Sequence, residues 1–138
     1  RVALKITVIN MMTAENADNA LKNAQREIQN TRLIMMKKFT NVVEFYAAED
    51  SLVNDIYRSY IIMEMASADL FGLINKSIYM RADLCYQACR GLHNLHSINL
   101  FHRDIKPENF LVKKRKGHLE HYDAKLSDMG CSRLLDDK

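Results

Sequence analysis

One run of eight residues, His102–Asn109, limits what this chain can be more than any other part of its sequence. It sets a carboxylate at Asp104, a cation at Lys106 and an amide at Asn109 within one short stretch. Phosphoryl transfer requires these groups, because the protein mainly positions atoms, binds Mg²⁺ through oxygen ligands and stabilises negative charge. An ordinary polar loop is the alternative, but this combination of residue types at fixed positions rarely arises by chance.

Two further elements flank this run in a defined order. The chain opens on Val2–Lys5, which belongs to a segment with the alternation of a strand, and Asp128–Gly130 lies downstream. Together the three elements resemble the lysine-bearing strand, the catalytic loop and the metal-binding Asp-Phe-Gly element of eukaryotic protein kinases. Lys106 resembles the serine/threonine type more than the tyrosine type. Met129 stands where Phe is usual, and its flexible apolar side chain is suited to fill the same space.

The resemblance extends over nearly all of the 138 residues and implies a fold class. The expected fold is α+β, with the two lobes of a protein kinase, each of them incomplete. Residues 1–66 would form a partial small lobe of strands plus one helix, and would end in the hinge. Residues 67–138 would form a partial, mostly helical large lobe with the catalytic loop and the start of the activation segment.

The resemblance also implies catalytic and metal-binding roles. Asp104 would orient or deprotonate the substrate hydroxyl, and Lys106 would neutralise the moving phosphate. Asn109 and Asp128 would bind Mg²⁺. Lys5 would hold the α and β phosphates of ATP. The implied activity is phosphorylation of a protein hydroxyl, with ATP and Mg²⁺ as cofactors and a protein as the substrate.

In protein kinases, the family that this sequence resembles, the strand lysine pairs with a glutamate on the helix that follows it. Glu27 is the candidate, because it is the only carboxylate between residues 19 and 43. A gap placed differently would put Arg32 in the glutamate position. A plain exposed helix charge is the third interpretation of Glu27, and the sequence leaves these possibilities open.

A nucleotide pocket is implied as well. Its residues would be Ala3, Lys5, Met63, Glu64, Ala66, Asp69 and Leu111. Ala3 and Leu111 would sandwich the adenine ring, Met63 would limit the depth of the pocket, and the hinge backbone would bind the adenine edge. Taken singly, the apolar residues among them are indistinguishable from ordinary core. Asp69 is as well explained by the cap of a short helix as by a contact with ribose.

Hydrophobic periodicity predicts the elements around these motifs. Ala3 and Lys5 are predicted to share one face of the first strand, and Thr13 to cap the first helix. The short helix capped by Asp69 would include Leu70, Phe71, Leu73 and Ile74. The remaining predictions are strands at 2–9, 42–46, 60–65, 110–112 and 125–127, a polar turn region at 49–55, and long helices at about 14–38 and 78–97.

Composition excludes several classes of protein. The chain is 48% hydrophobic and 27% charged, which is typical of a folded globular protein rather than a disordered one. Its net charge of +3 is too small to indicate a nucleic-acid or membrane partner, and no apolar run approaches the roughly 20 residues of a membrane span. Three cysteines favour free thiols in a reducing, intracellular and specifically cytoplasmic setting. The oligomeric state has no signal in the sequence.

Two other patterns invite a functional interpretation that physical arguments disfavour. Cys85, Cys89, His93 and His96 lie near one face of the predicted helix at 78–97. The helix rises about 16 Å over this interval, so the four side chains cannot share one zinc ion, and we expect packed thiols and peripheral histidines. The basic run Lys113–Lys116 resembles a nuclear signal but is more simply a solvated turn.

Some elements of protein kinases are not found in this sequence. No glycine-rich loop precedes Arg1, and the chain stops soon after Gly130. We therefore expect a fragment of a kinase domain that is poorly stable and inactive by itself, although its parent is active. A pseudokinase, acting as a nucleotide-binding or scaffolding module, is the alternative, and the presence of Lys5, Asp104, Asn109 and Asp128 disfavours it. Transfer to a small molecule or a nucleic acid is a third possibility.

Overall fold

The computed structural model describes residues 1–73, 75–115 and 121–135. In chain order its elements are β1 (Val2–Asn10), α1 (Ala17–Met35), β2 (Phe45–Val53), β3 (Ile56–Glu64), β4 (Ala68–Asp69), α2 (Ile78–His96), β5 (Leu100–Phe101), β6 (Phe110–Lys114), β7 (Tyr122–Leu126) and β8 (Arg133–Leu134). Short 3-10 helices occupy Phe71–Leu73, Pro107–Asn109 and Met129–Cys131. This mixture confirms the predicted α+β class.

The chain divides into two compact units. The first unit comprises Arg1–Lys38, Glu44–Met65 and Met129–Ser132, and the second comprises Phe39–Val43, Ala66–Asp128 and Arg133–Lys138. The predicted division between residues 66 and 67 therefore differs from this clustering in Phe39–Val43, in Met129–Ser132 and at Ala66. As a boundary between domains it stays a prediction.

The first unit is built on a three-stranded antiparallel sheet in the order β1-β3-β2. Side chains of β1 alternate strictly: Lys5 is half-buried and Ile9 is buried. The opposite face of β1 is more than half exposed at Val2, Leu4, Ile6 and Val8. Ala3 and Lys5 share the inward face, as the period of a strand requires.

The hairpin between β2 and β3 is tighter than its polar sequence indicates. Asn54 and Asp55 have φ values of 50° and 58°. Two successive residues with positive φ form the type I′ turn that matches the twist of a two-residue hairpin. The predicted turn region at 49–55 was therefore too long, because residues up to Val53 pair with β3.

The strand predicted at 42–46 was displaced for a different reason. Val42 and Val43 are buried, but they pair with β7 in the second unit, where Val43 N donates to Leu126 O at 2.9 Å. Regular pairing with β3 begins only at Phe45. One apolar run thus serves two different sheets, which its local pattern cannot reveal.

Helix α1 begins at Ala17, three residues after the predicted start at residue 14, and Thr13 does not cap it. Asn16 precedes it in the left-handed conformation and makes no side-chain capping bond. The backbone before it turns on Asn10, whose carbonyl accepts from the amides of Thr13 and Ala14. The cap prediction was wrong because this turn uses the residues that a helical start would need. The buried side of α1 is Ala24, Glu27, Ile28, Asn30, Thr31 and Ile34.

One buried group in α1 lacks compensation. Thr31 is fully buried, and its hydroxyl oxygen has no hydrogen-bond partner among the described residues. An unsatisfied buried hydroxyl costs about 1–3 kcal/mol, and valine has nearly the same shape without it. We expect Thr31→Val to raise the free energy of unfolding by about 1 kcal/mol in urea titrations of the natural polypeptide that contains this sequence.

The matched control for this substitution is Thr40→Val. Thr40 is exposed, and its hydroxyl oxygen accepts from Arg90 Nη2 at 3.2 Å. The same chemical change there removes a satisfied group and is expected to leave stability unchanged or slightly lower. If Thr31→Val destabilised the protein as much as Thr40→Val, the hydroxyl of Thr31 would have to be satisfied.

In the second unit, helix α2 packs on a sheet in the order β4-β6-β7. The helix is capped by Ser77, whose hydroxyl accepts from Met80 N. Its inward side consists of Leu84, Gln87, Gly91 and Leu95. Gln87 fastens the helix to β7, because its amide donates to Tyr122 O and accepts from Ala124 N. The cluster at this junction consists of Leu73, Leu84, Val112 and Ala124.

The short helix predicted before α2 is shorter in the structure. Asp69 Oδ1 accepts from Gly72 N at 2.9 Å, so its side chain does cap a helical turn. That turn is only the 3-10 helix at Phe71–Leu73. Ile74, the last residue predicted for it, lies outside the described residues.

The structure also locates the cysteines of α2 and part of the basic run that begins at Lys113. Cys85, Cys89 and Cys131 are exposed free thiols, so the expected packing of Cys85 and Cys89 was wrong: both lie on the side of α2 opposite its buried residues. The described residues contain no group of three or more potential metal ligands. Lys113 and Lys114 belong to β6, and Lys116 lies outside the described part of the chain. None of the described helices has the length and apolarity to cross a membrane.

Candidate active site

The loop that bears Asp104 is fixed by a buried histidine. His102 lies just after β5 and is 1% exposed. Its Nδ1 accepts from Asp104 N at 3.3 Å, so Nε2 bears the proton and donates to Ser127 O at 2.7 Å. One imidazole therefore ties the loop to the end of β7, immediately before Asp128.

Asp104 is the centre of a compact polar cluster in the second unit. Lys106 Nζ donates to Asp104 Oδ2 at 2.7 Å, and Asn109 Nδ2 donates to the same oxygen at 2.9 Å. Asn109 Nδ2 also reaches Asp104 O at 2.8 Å, which closes the loop on itself. The carboxylate is held in place yet stays partly exposed, so another molecule has access to it.

The same contacts set the proton affinities of the cluster. The hydrogen bond from Lys106, followed by that from Asn109, holds the pKa of Asp104 below its ordinary value of 3.8. Conversely, the hydrogen bond to Asp104 raises the pKa of Lys106 above 10.5, with smaller attractions from Glu108 and Asp128. Near neutral pH the site therefore contains a charged base beside a charged cation.

Removing the cation tests this assignment. We expect Lys106→Met to raise the pKa of Asp104, because the largest cause of its lowering is lost. A carboxylate with a higher pKa takes up its proton earlier as the pH falls, so the acidic titration step moves to higher pH. Carbon-13 NMR of the Asp104 carboxyl group measures it directly. Lys76→Met is the control, because Lys76 is an exposed lysine that precedes α2, and an equal titration in both variants would contradict the assignment.

Asn109 is oriented as an oxygen ligand. It is buried, both hydrogen bonds of its Nδ2 go to Asp104, and its backbone oxygen accepts from Ser127 N at 2.8 Å. No donor among the described residues reaches its Oδ1, so that amide oxygen is available. Ser127, which donates to the backbone oxygen of Asn109, directly precedes Asp128. An amide oxygen and a carboxylate are ligands that Mg²⁺ prefers.

Two residues at this site have strained backbones. Arg103 and Asp128 have φ values of 68° and 61°, in the left-handed region that non-glycine residues rarely adopt. Such conformations persist only where the surroundings enforce them, and they concentrate at functional sites. Here they lie on either side of the His102–Ser127 bond and set the direction of the Asp104 and Asp128 side chains.

The first unit contains the second group of predicted site residues. Lys5 Nζ lies 2.6 Å from Glu27 Oε1, and the two side chains are 38% and 11% exposed. Arg32 does not take this place: it points to β2, where its Nε donates to Ala48 O at 2.8 Å. Of the two candidates that the sequence leaves open, the structure pairs Glu27 with the strand lysine.

The residues predicted to surround the nucleotide are distributed over both units. In the first unit Ala3 lies opposite Met63 in the β1–β3 register, and Glu64 is buried with its carboxylate accepting from Glu44 N at 3.0 Å. In the second unit Asp69 lies opposite Leu111 in the β4–β6 register, and Ala66 is half-buried. The side chain of Asp69 serves as a cap, as one of its two interpretations predicts. The adenine sandwich of Ala3 and Leu111 stays a prediction.

Sequence reasoning missed groups that hold these residues in place. The amide and the hydroxyl of Ser127 both donate to Asn109 O. Asp50 forms an ion pair with Arg32. Ser127 carries one signal, its position directly before Asp128. Asp50 carries none, because its partner lies on another element and is reached only by folding.

With this geometry in view, comparison with known proteins identifies the family. The family model for the protein kinase domain matches residues 1–138, the whole chain. The chain therefore belongs to the protein kinase family, and the predicted resemblance is confirmed.

Several curated relatives of this chain are mitogen-activated protein kinases. Mitogen-activated protein kinase 4a of Physcomitrium patens is 33% identical over 129 residues, which are 86% of this chain and 31% of the relative. Mitogen-activated protein kinase 2 of Arabidopsis thaliana is 32% identical over 124 residues, covering 84% and 31% respectively. Mitogen-activated protein kinase HOG1 of Candida albicans is 29% identical over 116 residues, covering 82% and 28%. The chain spans about a third of the length of these relatives.

A solved structure shows the same fold. A chain in the crystal structure of the yeast RNA Pol II CTD kinase CTDK-1 complex matches with a TM-score of 0.65 and 24% identity. The match covers 97% of this chain and 40% of that one. The partial, kinase-like α+β fold expected from the sequence is confirmed.

Proposed function

We propose that this chain provides catalytic residues of an ATP- and Mg²⁺-dependent serine/threonine protein kinase. The observation that supports it most is the Asp104 cluster, in which one carboxylate is held by Lys106 and Asn109 and stays accessible. Membership of the kinase family supports transfer of a phosphoryl group to a protein. The free thiols of Cys85, Cys89 and Cys131 support a reducing, cytoplasmic location.

The proposed chemistry assigns one role to each group. Asp104 accepts a hydrogen bond from the substrate hydroxyl and takes its proton as the oxygen attacks the γ-phosphorus. The bond between the γ-phosphorus and the β–γ bridging oxygen breaks, and ADP leaves. Lys106, already beside that carboxylate, stabilises the negative charge that moves onto the transferred phosphoryl oxygens. Asn109 Oδ1 and Asp128 would hold Mg²⁺, which would supply positive charge to offset that of the phosphates. Lys5, oriented by Glu27, binds the phosphates that remain on the nucleotide.

The preference for serine and threonine rests on Lys106. A lysine two residues after the base lies close to the acceptor oxygen, since its ammonium contacts Asp104 Oδ2 directly. A short aliphatic hydroxyl must approach the base closely, and a cation at that point stabilises the resulting alkoxide character.

Phosphate transfer to protein substrates tests this proposal. The natural polypeptide that contains this sequence is incubated with γ-labelled ATP, Mg²⁺ and a library of serine, threonine and tyrosine peptides. Label on serine or threonine that disappears with EDTA supports the proposal, whereas label confined to tyrosine, or to a non-protein acceptor, overturns it. A nucleotide-dependent thermal shift without any transfer would instead establish a pseudokinase.

A further inference from the structure

Helix α1 is attached to every strand of the sheet in the first unit. Glu27 binds Lys5 on the edge strand β1. Ala24 packs in the cluster around Tyr57 on the central strand β3. Arg32 reaches β2, the opposite edge. Glu27 thus lies between two other attachments, three residues after Ala24 and five before Arg32.

The Arg32 attachment uses two nitrogens of the guanidinium group, Nε and Nη2. Its Nε donates to the backbone oxygen of Ala48 at 2.8 Å. Its Nη2 lies 3.1 Å from Asp50 Oδ1 and 3.3 Å from Glu49 Oε2. A planar fork satisfies a carbonyl and a carboxylate together, which fixes the direction of the side chain as well as its distance.

Asp50 also connects Arg32 to a buried residue of the sheet. Its second oxygen, Oδ2, accepts from Tyr57 OH at 3.4 Å. Tyr57 is 1% exposed, and burial, with the nearby charge of Asp50, raises its pKa to about 12. The phenol therefore stays a neutral donor at physiological pH and keeps Asp50 oriented toward Arg32.

We propose that Arg32 is a positioning residue that fixes the rotation of α1 and thereby keeps Glu27 directed at Lys5. Glu27 and Arg32 project about 140° apart around the helix axis, so they bind opposite edges of the sheet. Without Arg32 the helix keeps the packing of Ala24 and the bond from Asn30 Nδ2 to Ser132 O at 3.1 Å, but it loses its hydrogen bonds and ion pairs at the β2 edge. This inference rests on the proposed kinase function, in which Lys5, oriented by Glu27, binds the nucleotide phosphates.

The first experiment measures coupling between the two edges. In the natural polypeptide, Arg32→Met keeps the aliphatic stem and removes the fork, and kcat/KM for ATP is expected to fall about tenfold to a hundredfold. In a Glu27→Gln background the same substitution is expected to have no further effect, because the group that it positions is already lost. Additive losses in the double variant would overturn the proposal.

Two controls separate positioning from general stability. Lys22→Met removes an exposed cation of α1 for which the structure shows no contact with β2, and is expected to leave kcat/KM unchanged. Arg32→Lys retains the charge but not the fork, so activity between that of wild type and Arg32→Met supports the proposal. Full activity in Arg32→Lys would mean that charge alone is needed, and would overturn the role assigned to the fork.

A readout that needs no phosphoryl transfer keeps this inference distinct from the proposed function. A lysine nitrogen held in a charge-assisted hydrogen bond must leave its partner before it can be acylated, so it reacts slowly. If Arg32 positions Glu27, then Arg32→Met raises the acylation rate of Lys5 several-fold, measured by peptide mass spectrometry. An unchanged rate overturns the inference. An increased rate in a protein without kinase activity upholds it while the proposed function fails.

Discussion

Asp104→Asn is expected to lower kcat for phosphate transfer by a factor of about 10²–10⁴ with little change in the KM for ATP. An amide has nearly the shape of the carboxylate and still accepts a hydrogen bond, but it cannot take the proton of the attacking hydroxyl. Asp104 is assigned to the acceptor hydroxyl and not to the nucleotide, so the affinity for ATP has little reason to change. Initial rates over a range of ATP concentrations separate the two constants.

Asp18→Asn is the control for this result. Asp18 is an exposed carboxylate in the first turn of α1, so the same chemical change there alters only the surface charge. Circular dichroism of both variants should match the wild type, because Asp104 is partly exposed and contributes no core packing. A kcat for Asp104→Asn within about threefold of the wild type would exclude this carboxylate as the base.

The sequence predicted the parts of the site that depend on local spacing. Asp104, Lys106 and Asn109 lie in one loop, so their mutual contacts follow from a few backbone turns and survive any uncertainty about the rest of the fold. The pairing of Lys5 with Glu27 needed more, since it spans 22 positions. It was accessible because only one carboxylate was available in the helix body, whereas the structure was needed to exclude Arg32.

Contacts between distant elements could not be predicted in this way. Val42 and Val43 read locally as part of a strand beside β3, yet they pair with β7, more than 80 positions away. The capping role assigned to Thr13 failed for a related reason. Ser, Thr and Asn side chains suit several kinds of turn, and the turn on Asn10 used this stretch before the helix began. Helix existence was predictable, whereas its first residue was not.

Gly91 is a case in which the sequence held no visible signal and the structure predicts a large effect. It lies inside α2, where glycine costs about 1 kcal/mol relative to alanine, so helix propensity alone favours replacing it. A Cβ at this position would overlap the backbone oxygen of Asn41, and would lie 3.2 Å from Asn41 C and 3.4 Å from Leu126 Cβ. The obstacle is backbone, which cannot rotate away as a side chain does.

Moving Asn41 would disturb several bonds at once. Its backbone oxygen accepts from Leu126 N at 2.9 Å, and its side chain donates to Ala124 O and to Gln87 Oε1. These bonds join the segment before β2 to β7 and α2. Each lost hydrogen bond costs about 1 kcal/mol, which outweighs the gain in helix propensity.

We therefore expect Gly91→Ala to lower the free energy of unfolding by about 3 kcal/mol, the upper part of the range for overpacked sites. Thermal melting should show this as a fall in Tm of about 10 °C. Gly72→Ala is the matched control, because among the described residues its Cβ would meet only Asp69 Oδ1 at 3.7 Å and Ala68 Cβ at 3.9 Å, both ordinary contacts. Equal melting temperatures for the two variants would mean that α2 and the Asn41 segment separate easily. The close approach at Gly91 would then not be what holds that segment against the helix.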